Sequence, residues 1–465
     1  MTSTHAIIIG GSVAGLTAAR TLSDHFDRVT LIERDTFPEE IAPRPGVPQS
    51  RQPHVLLLRG MNILNDLFPG FLDELIAAGA VKIEIGYRAD FIGRDGRRLP
   101  SIRTGLYTAS CTRPFLEWHL RQRVKQIPNL TIIENHVVTD LIAAPDKARI
   151  TGVRAEAKKT HETVELSADL IVDASGRGSG VVEWLKTLGY DAPSETYMTA
   201  HWGYAARLYQ IPETFSRKWE TFGLQNPKIP GVPFHGGGIF TVEGDRWIVI
   251  LSGSGKNYPP TDPEAYDAFI QKIPSPDFWE NVKDAQPLSP IYGYRNLDNR
   301  RRHFEKLDRL PEHFVVVGDA ACGFNPIYGQ GMTVAAMEAE ALAKLIGTYA
   351  DKHQFAGLAK RWAKEQAKLL TQPWAITLGA DATHIESQPK TNFAARLSAR
   401  YLTEFNSAMQ EDPVVMRTFL MILHLVAPLT DMMKPGIIVR VLRHAWKYRS
   451  QSTERVNPAP ETAAV

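Results

Sequence analysis

Cysteine is scarce in this 465-residue chain: only Cys111 and Cys322 occur, far apart. They exclude a disulfide framework and any CxxC metal or redox site. Charge of one sign is lacking too, since 53 basic residues face 51 acidic ones and the net charge is +2. No basic tract with interleaved aromatics replaces it, so nucleic acid is not an expected partner. Apolar runs are short. The first, Ala6 to Ile9, is cut by glycines and reads as neither a signal peptide nor a spanning helix. No internal repeat stands out, and the expected setting is reducing and cytoplasmic. What the chain does have is an ordinary globular balance, 43% hydrophobic and 22% charged, over a length that exceeds one ordinary domain.

The stretch "IIIGGSVAGLTAARTL", residues 7–22, joins an isoleucine-rich strand to a helix with Val13, Leu16, Ala19 and Leu22 on one face. Gly10 and Gly11 let the backbone bend and approach a pyrophosphate, and Gly15 lets the helix pack against the strand. Ser12 stands where the usual middle glycine would, small enough to leave room and able to donate to phosphate. Val13 and Ala14 complete the turn, at a helix N-terminus suited to anions. A second strand, Arg28 to Ile32, ends on Glu33 and Arg34. Glu33 follows Gly15 by 18 residues, close to the ~20 expected for an acid on a ribose 2′-hydroxyl, and disfavours a 2′-phosphate. FAD or NAD fits this turn better than NADP.

Residues 34–53 are rich in proline and turn formers and read as an excursion from this first unit. Strand-like stretches follow at 80–110, with an Asp95–Gly96 hairpin turn, then the amphipathic helix "RPFLEWHLRQRV". Short strands close on "ADLIVDASGRGSG", and 191–305 reads as a second, mixed β-sheet. "HFVVVGDAACGFNPIYGQGMTVAAMEAEALAKLIG" then restores strand, glycine turn and helix. The fold class is thus α/β, with a discontinuous Rossmann-like dinucleotide domain (1–190 and 306–350), an inserted β-sheet substrate domain (191–305) and a helical region (351–450). Residues 451–465 read as a disordered tail. In the helical region "FLMILHLVAPL" is too short to span a bilayer. The expected role of these helices is a packed lid over the substrate pocket, with a membrane-surface contact as the rival.

Taken together, "GGSVAGL", "GVPQSRQPHVLLLRG", "DLIVDASGRGS", "GDRWIVILSG" and "VVVGDAACGFNPIYGQGM" resemble the FAD-dependent monooxygenases of the para-hydroxybenzoate hydroxylase fold. Over nearly the whole chain the resemblance is closer to the polyether epoxidase branch. It implies a non-covalent FAD whose ribityl hydroxyls bind Asp319. Gly318, Pro326, Gly329, Gly331 and Met332 bring backbone N–H groups to the flavin, and Arg113 reaches the pyrophosphate. Asp173 and Gly176 belong to the second FAD motif, where Ala174 and Ser175 separate an acid and glycine that usually adjoin. His54 and Arg51 fall near the flavin edge, with His54 and Tyr328 as catalytic candidates. Lys82 invites comparison with the lysine of flavin halogenases, but the chain has no W-x-W pair and Lys82 reads as a solvated strand residue. Met332, Met337, Trp202 and Tyr204 are either pocket or core.

The implied reaction passes one oxygen of O₂, through a flavin C4a-hydroperoxide, to an apolar small molecule, with alkene epoxidation first and aromatic hydroxylation next. No second strand–turn–helix unit exists for the reductant, so NADPH or NADH binds transiently or a partner flavin reductase supplies electrons. The rival is a flavin-dependent reductase of isoprenoid-type double bonds, where "DASGRGS" also occurs. No metal cluster, Ser–His–Asp arrangement or paired-carboxylate pattern accompanies the motifs.

Overall fold

The computed structural model describes residues 3–93, 96–225, 234–273, 275–295, 297–349, 353–382 and 393–454. Strand β1 (His5–Ile9), helix α1 (Val13–Ser23) and strand β2 (Arg28–Ile32) begin a five-stranded sheet. Its strand order is 314–316, 170–173, β1, β2, 130–133, and every pairing is parallel. A parallel sheet is covered on both faces, so its strands need apolar residues on both sides. In β1, Ala6 and Ile8 enter the core shared with Leu16, Ala19 and Leu22 of α1, while Ile7 and Ile9 enter the opposite core with Val316 and Trp184. The hydrophobic effect thereby recruits the distant 314–316 segment into a sheet begun at residue 5.

Register then sets the site. Ile9 pairs with both Ile32 and Asp173, and Asp173 pairs with Val316. The carboxyl ends of four strands are therefore level, and Gly10, Glu33, Ala174 and Val317 emerge side by side, with Gly318 next after Val317. Ligands of open α/β sheets bind at that edge.

A second, six-stranded sheet has the order 292–295, 203–210, 246–253, 235–242, 221–225, 89–92. Its last strand comes from the 80–110 segment and runs parallel to 221–225, so this sheet draws on more than the 191–305 stretch. Its glycines serve aromatic packing rather than phosphate. A Cβ on Gly237 would lie 2.6 Å from the Phe278 ring, and one on Gly223 would lie 2.2 Å from Phe91. Asp95 of the expected hairpin turn lies outside the described residues, but Gly96 N–H donates to Gly93 O at 2.9 Å and Gly96 has φ +77°.

The C-terminal region is helical, and its last helix runs from Pro435 to Glu454. Residues 451–454, expected in the tail, belong to this helix, and 455–465 lie outside the described residues. Met416 and Leu420 of the Pro413–Leu423 helix pack on Leu58 and Ile85, not over a pocket. Among the described residues no helix is long and apolar enough to cross a membrane.

Candidate functional site

One cavity of about 380 Å³ runs along the carboxyl edge of the parallel sheet, within the range of small-molecule sites. Gly10, Gly11, Ser12, Val13, Ala14, Glu33, Arg34 and Arg113 line one part of it. Gly176, Gly318, Asp319, Pro326, Gly329, Gly331, Met332 and His54 line the rest. Among the described residues, none of 353–382 or 393–454 lines this cavity.

The glycine turn is built for close approach. Gly10 has φ +102°, and a Cβ there would meet Ala174 O at 2.6 Å. Gly11 N–H donates to Glu33 Oε2 at 2.7 Å, while Glu33 Oε1 accepts from Asp35 N–H at 2.9 Å. The ribose-binding candidate therefore also ties the second strand to the turn. Arg113 Nη2 donates to Ser12 Oγ at 2.8 Å, and Arg113 Nε donates to Glu117 Oε2 at 3.0 Å. Glu117 also accepts from Arg44 Nε at 2.9 Å, and Arg44 reaches Asp35 Oδ2 at 2.9 Å, Glu33 Oε1 at 3.2 Å and Gly11 O at 3.2 Å. Arg44 and Glu117 escaped the sequence reading. The Arg113–Glu117 spacing of four on a helix was the available signal for one of them; Arg44 lay hidden in the proline-rich excursion.

At the other end, Asp319 is half-buried, with Arg177 Nε 3.5 Å from its Oδ2. Burial pushes its carboxyl above the usual range, against the pull of Arg177, Arg113 and Arg300. Arg177 donates to Asp298 O at 2.9 Å and Phe324 O at 2.6 Å, clamping the 174–179 loop to the Asp319 turn. Behind the turn, buried Glu338 accepts from Gly318 N–H at 2.6 Å and from Gln366 Nε2 at 2.8 Å. Burial pushes its pKa up to about 8. Its role is to hold Gly318, where φ is +63°.

His54 is half-buried in the wall. Burial, with the charge of Arg113 next, pushes its pKa down to about 3. Nδ1 is 2.9 Å from Gln52 O; a carbonyl only accepts, so the proton sits on Nδ1 and Nε2 keeps its lone pair. The imidazole is uncharged near neutral pH, and its Nε2 is an acceptor.

Four other candidates do not line the cavity. Gly15 sits inside α1 against Gly10. Arg51 is exposed, its guanidinium 5.0 Å from the centre of the Tyr292 ring. Asp173 is wholly buried and turns inward: it accepts from Ser175 N–H at 3.0 Å and from the Ser175 and Ser179 hydroxyls, so it shapes the 174–179 loop. Tyr328 donates to buried Asp381, which also takes Trp202 Nε1 at 2.9 Å; this bond holds the Pro326 turn rather than presenting a catalytic hydroxyl. Trp202 and Tyr204 are 2% and 3% exposed and are core. Met337 packs beside Phe324 and Trp374. Lys82 lies on a peripheral strand with its ammonium 4.4 Å over the Tyr107 ring. Among the described residues no group of His, Cys, Asp and Glu is arranged to hold a metal ion.

A parallel sheet with a glycine turn, an acid on the second strand and a cavity along its carboxyl edge defines a dinucleotide-binding protein. The chain belongs to the FAD binding domain family, whose model matches residues 3–367. Protein Rv3254 of Mycobacterium tuberculosis is 30% identical over 465 residues, spanning 98% of this chain and 96% of that one. Among solved structures, a flavoprotein/dehydrogenase from Cytophaga hutchinsonii superposes with a TM-score of 0.69 at 16% identity, covering 97% of this chain and 100% of that chain. The p-nitrophenol 4-monooxygenase PnpA of Pseudomonas putida DLL-E4 gives 0.63 at 18%, covering 91% and 99%. The fold is that of the FAD-dependent monooxygenases. The site's own chemistry fits FAD, since a cationic Arg113 stands at Ser12 of the glycine turn, and the buried NH₂ groups of Asn325 and Gln330 have no protein acceptor.

Asp319→Ala is expected to weaken FAD binding about 10- to 100-fold, because it deletes a carboxylate acceptor whose hydrogen bonds are worth about 1.5–3 kcal/mol each. Fluorescence titration of the apoprotein with FAD measures it, and an unchanged Kd would remove Asp319 from the cofactor site.

Proposed function

We propose that the protein is an FAD-dependent monooxygenase that places one atom of O₂ on an apolar small molecule, with alkene epoxidation favoured over aromatic hydroxylation. The observation that supports it most is the placement of the cavity's Asp319–Met332 end, where Tyr294 of the second sheet joins the wall. A substrate there would lie between the sheet and the Pro326 turn, and with the cofactor would have to displace water from this end, as oxygen transfer requires.

Reduced FAD, when bound, supplies the two-electron activation of oxygen, and the protein supplies the surroundings. Gly331 begins the Gly331–Ile346 helix, whose N-terminal dipole favours the negative charge of a reduced flavin. Neutral His54 offers Nε2 as an acceptor, to orient water or a substrate hydroxyl. NADPH or NADH, or a partner flavin reductase, would deliver the electrons, as only one dinucleotide-binding unit is seen among the described residues.

Turnover under ¹⁸O₂ should put one labelled oxygen into the product, and H₂¹⁸O should label none before any ring opening. Unlabelled product, or full turnover without oxygen, would refute oxygen transfer and favour the rival, a flavin-dependent reductase of isoprenoid-type double bonds.

A further inference from the structure

Asn325 and Gln330 flank the Pro326 turn, line the cavity and are 0% exposed, yet the NH₂ of each lacks a protein acceptor. For Asn325 the surroundings fix which way the amide points. Its Oδ1 accepts from Ile327 N–H at 3.2 Å and from Tyr204 Oη at 2.7 Å. A backbone N–H only donates, so the atom facing Ile327 is the carbonyl oxygen; a flipped amide would set one donor against another. Nδ2 is thereby committed as a donor, and a buried donor without an acceptor is costly until a ligand supplies one.

The rest of the residue is held from the second sheet. Asn325 N–H donates to Asn299 Oδ1 at 2.7 Å, and Asn299 Nδ2 donates to Asp381. Asp381 lies on the Thr371–Ala382 helix and also receives Trp202 and Tyr328. Hydrogen bonds thus run from this C-terminal helix to one amide at the cavity wall.

We infer that Asn325 Nδ2 donates to a carbonyl oxygen on the pyrimidine edge of the FAD ring system, with Tyr204 and Asp381 as positioning residues. This rests on FAD occupying the cavity. A diphosphate at the Gly10–Ser12 turn sends the rest of the cofactor along the same cavity toward the Pro326 turn. The pyrimidine edge of a flavin carries carbonyl acceptors, and negative charge accumulates there on reduction. A fixed donor would bind the oxidised form and favour the reduced form more.

The test is the FAD Kd of the apoprotein, together with the midpoint potential of the bound flavin, in wild type, Asn325→Ser and Asn325→Asp. Serine keeps an acceptor for Ile327 N–H and is a good cap at this position, but it is too short to supply the donor. Its expected effects are a Kd raised about tenfold and a lower potential, with apoprotein thermal stability near wild type. Aspartate retains the Oδ1 contacts, replaces the donor by a charged acceptor and should shift both readings further. If Asn325→Ser does not fold, Asn325→Asp is read by the same two measurements. A Kd within twofold and an unchanged potential in a folded variant overturn the inference. A wild type that takes up no FAD overturns the reading of the cavity instead.

Discussion

Glu117→Ala should cost about 3 kcal/mol of stability, the lower end of what breaking a buried ion pair costs. Glu117 is 4% exposed and stands between two buried guanidinium groups. Its Oε1 accepts from Arg44 Nε at 2.9 Å and its Oε2 from Arg113 Nε at 3.0 Å. Arg44 keeps Glu33 and Asp35 when Glu117 is gone, so its charge remains compensated. Arg113, 5% exposed, would be left with the Ser12 hydroxyl alone among these contacts, and that single loss sets the estimate. A lowered urea midpoint with an unchanged slope is the expected signature.

The same residue carries a pH dependence. Burial would raise the Glu117 pKa, but the charges of Arg113 and Arg44 overcome it and hold the carboxyl below its ordinary value of 4.5. A depressed pKa in the folded state means that the stabilisation is present above the unfolded value and is lost as pH falls through the folded one. The gap between wild type and Glu117→Ala should therefore be constant near neutrality and narrow below about pH 4.5. A gap that widens in acid would show that Glu117 is not the charged partner of these arginines.

Gly15→Ala is expected to abolish FAD binding altogether. A Cβ at residue 15 would lie 1.7 Å from Gly10 O and 2.8 Å from Gly10 C. Those atoms are backbone, and no flexible side chain can swing aside to make room. Either α1 tilts away from β1 or the turn at Gly10 changes shape. Gly10 itself has no slack, because its positive φ and its contact with Ala174 fix the turn against the neighbouring strand. Overpacking of this kind costs about 1–3 kcal/mol of stability, and it moves the N–H groups that would face the pyrophosphate. Purified wild type should be yellow and Gly15→Ala colourless after FAD addition and desalting. A variant that retains stoichiometric FAD would show that the helix can shift without disturbing the turn.

Residues 5–33 were legible because their signals are local. A β-branched run, glycines at a bend and apolar residues at helical spacing are each decided by neighbours in the chain. The 314–346 stretch was legible for the same reason. Orientation at strand ends was not. Asp173 looked like a cofactor ligand by motif, yet the hydroxyls of Ser175 and Ser179 turn it inward. Tyr328 looked catalytic beside Pro326, and the helix that captures its hydroxyl lies some fifty residues on. Arg51 and Arg44 share one proline-rich excursion with nothing in sequence to separate them. Only the folded loop puts Arg44 among three carboxylates and leaves Arg51 on the surface against Tyr292.

The sequence by itself determined the class of fold and the dinucleotide turn, because periodicity and backbone freedom act over a few residues at a time; which segments meet at the cavity came from the family resemblance. The tertiary structure decided charge pairing, protonation and the direction of each amide. Those depend on burial and on partners brought together from across the chain, as when Asn299, Trp202, Tyr328 and Asp381 converge behind Asn325. A hydrogen bond or an ion pair gains its strength where water is excluded, and only packing of the whole chain excludes it.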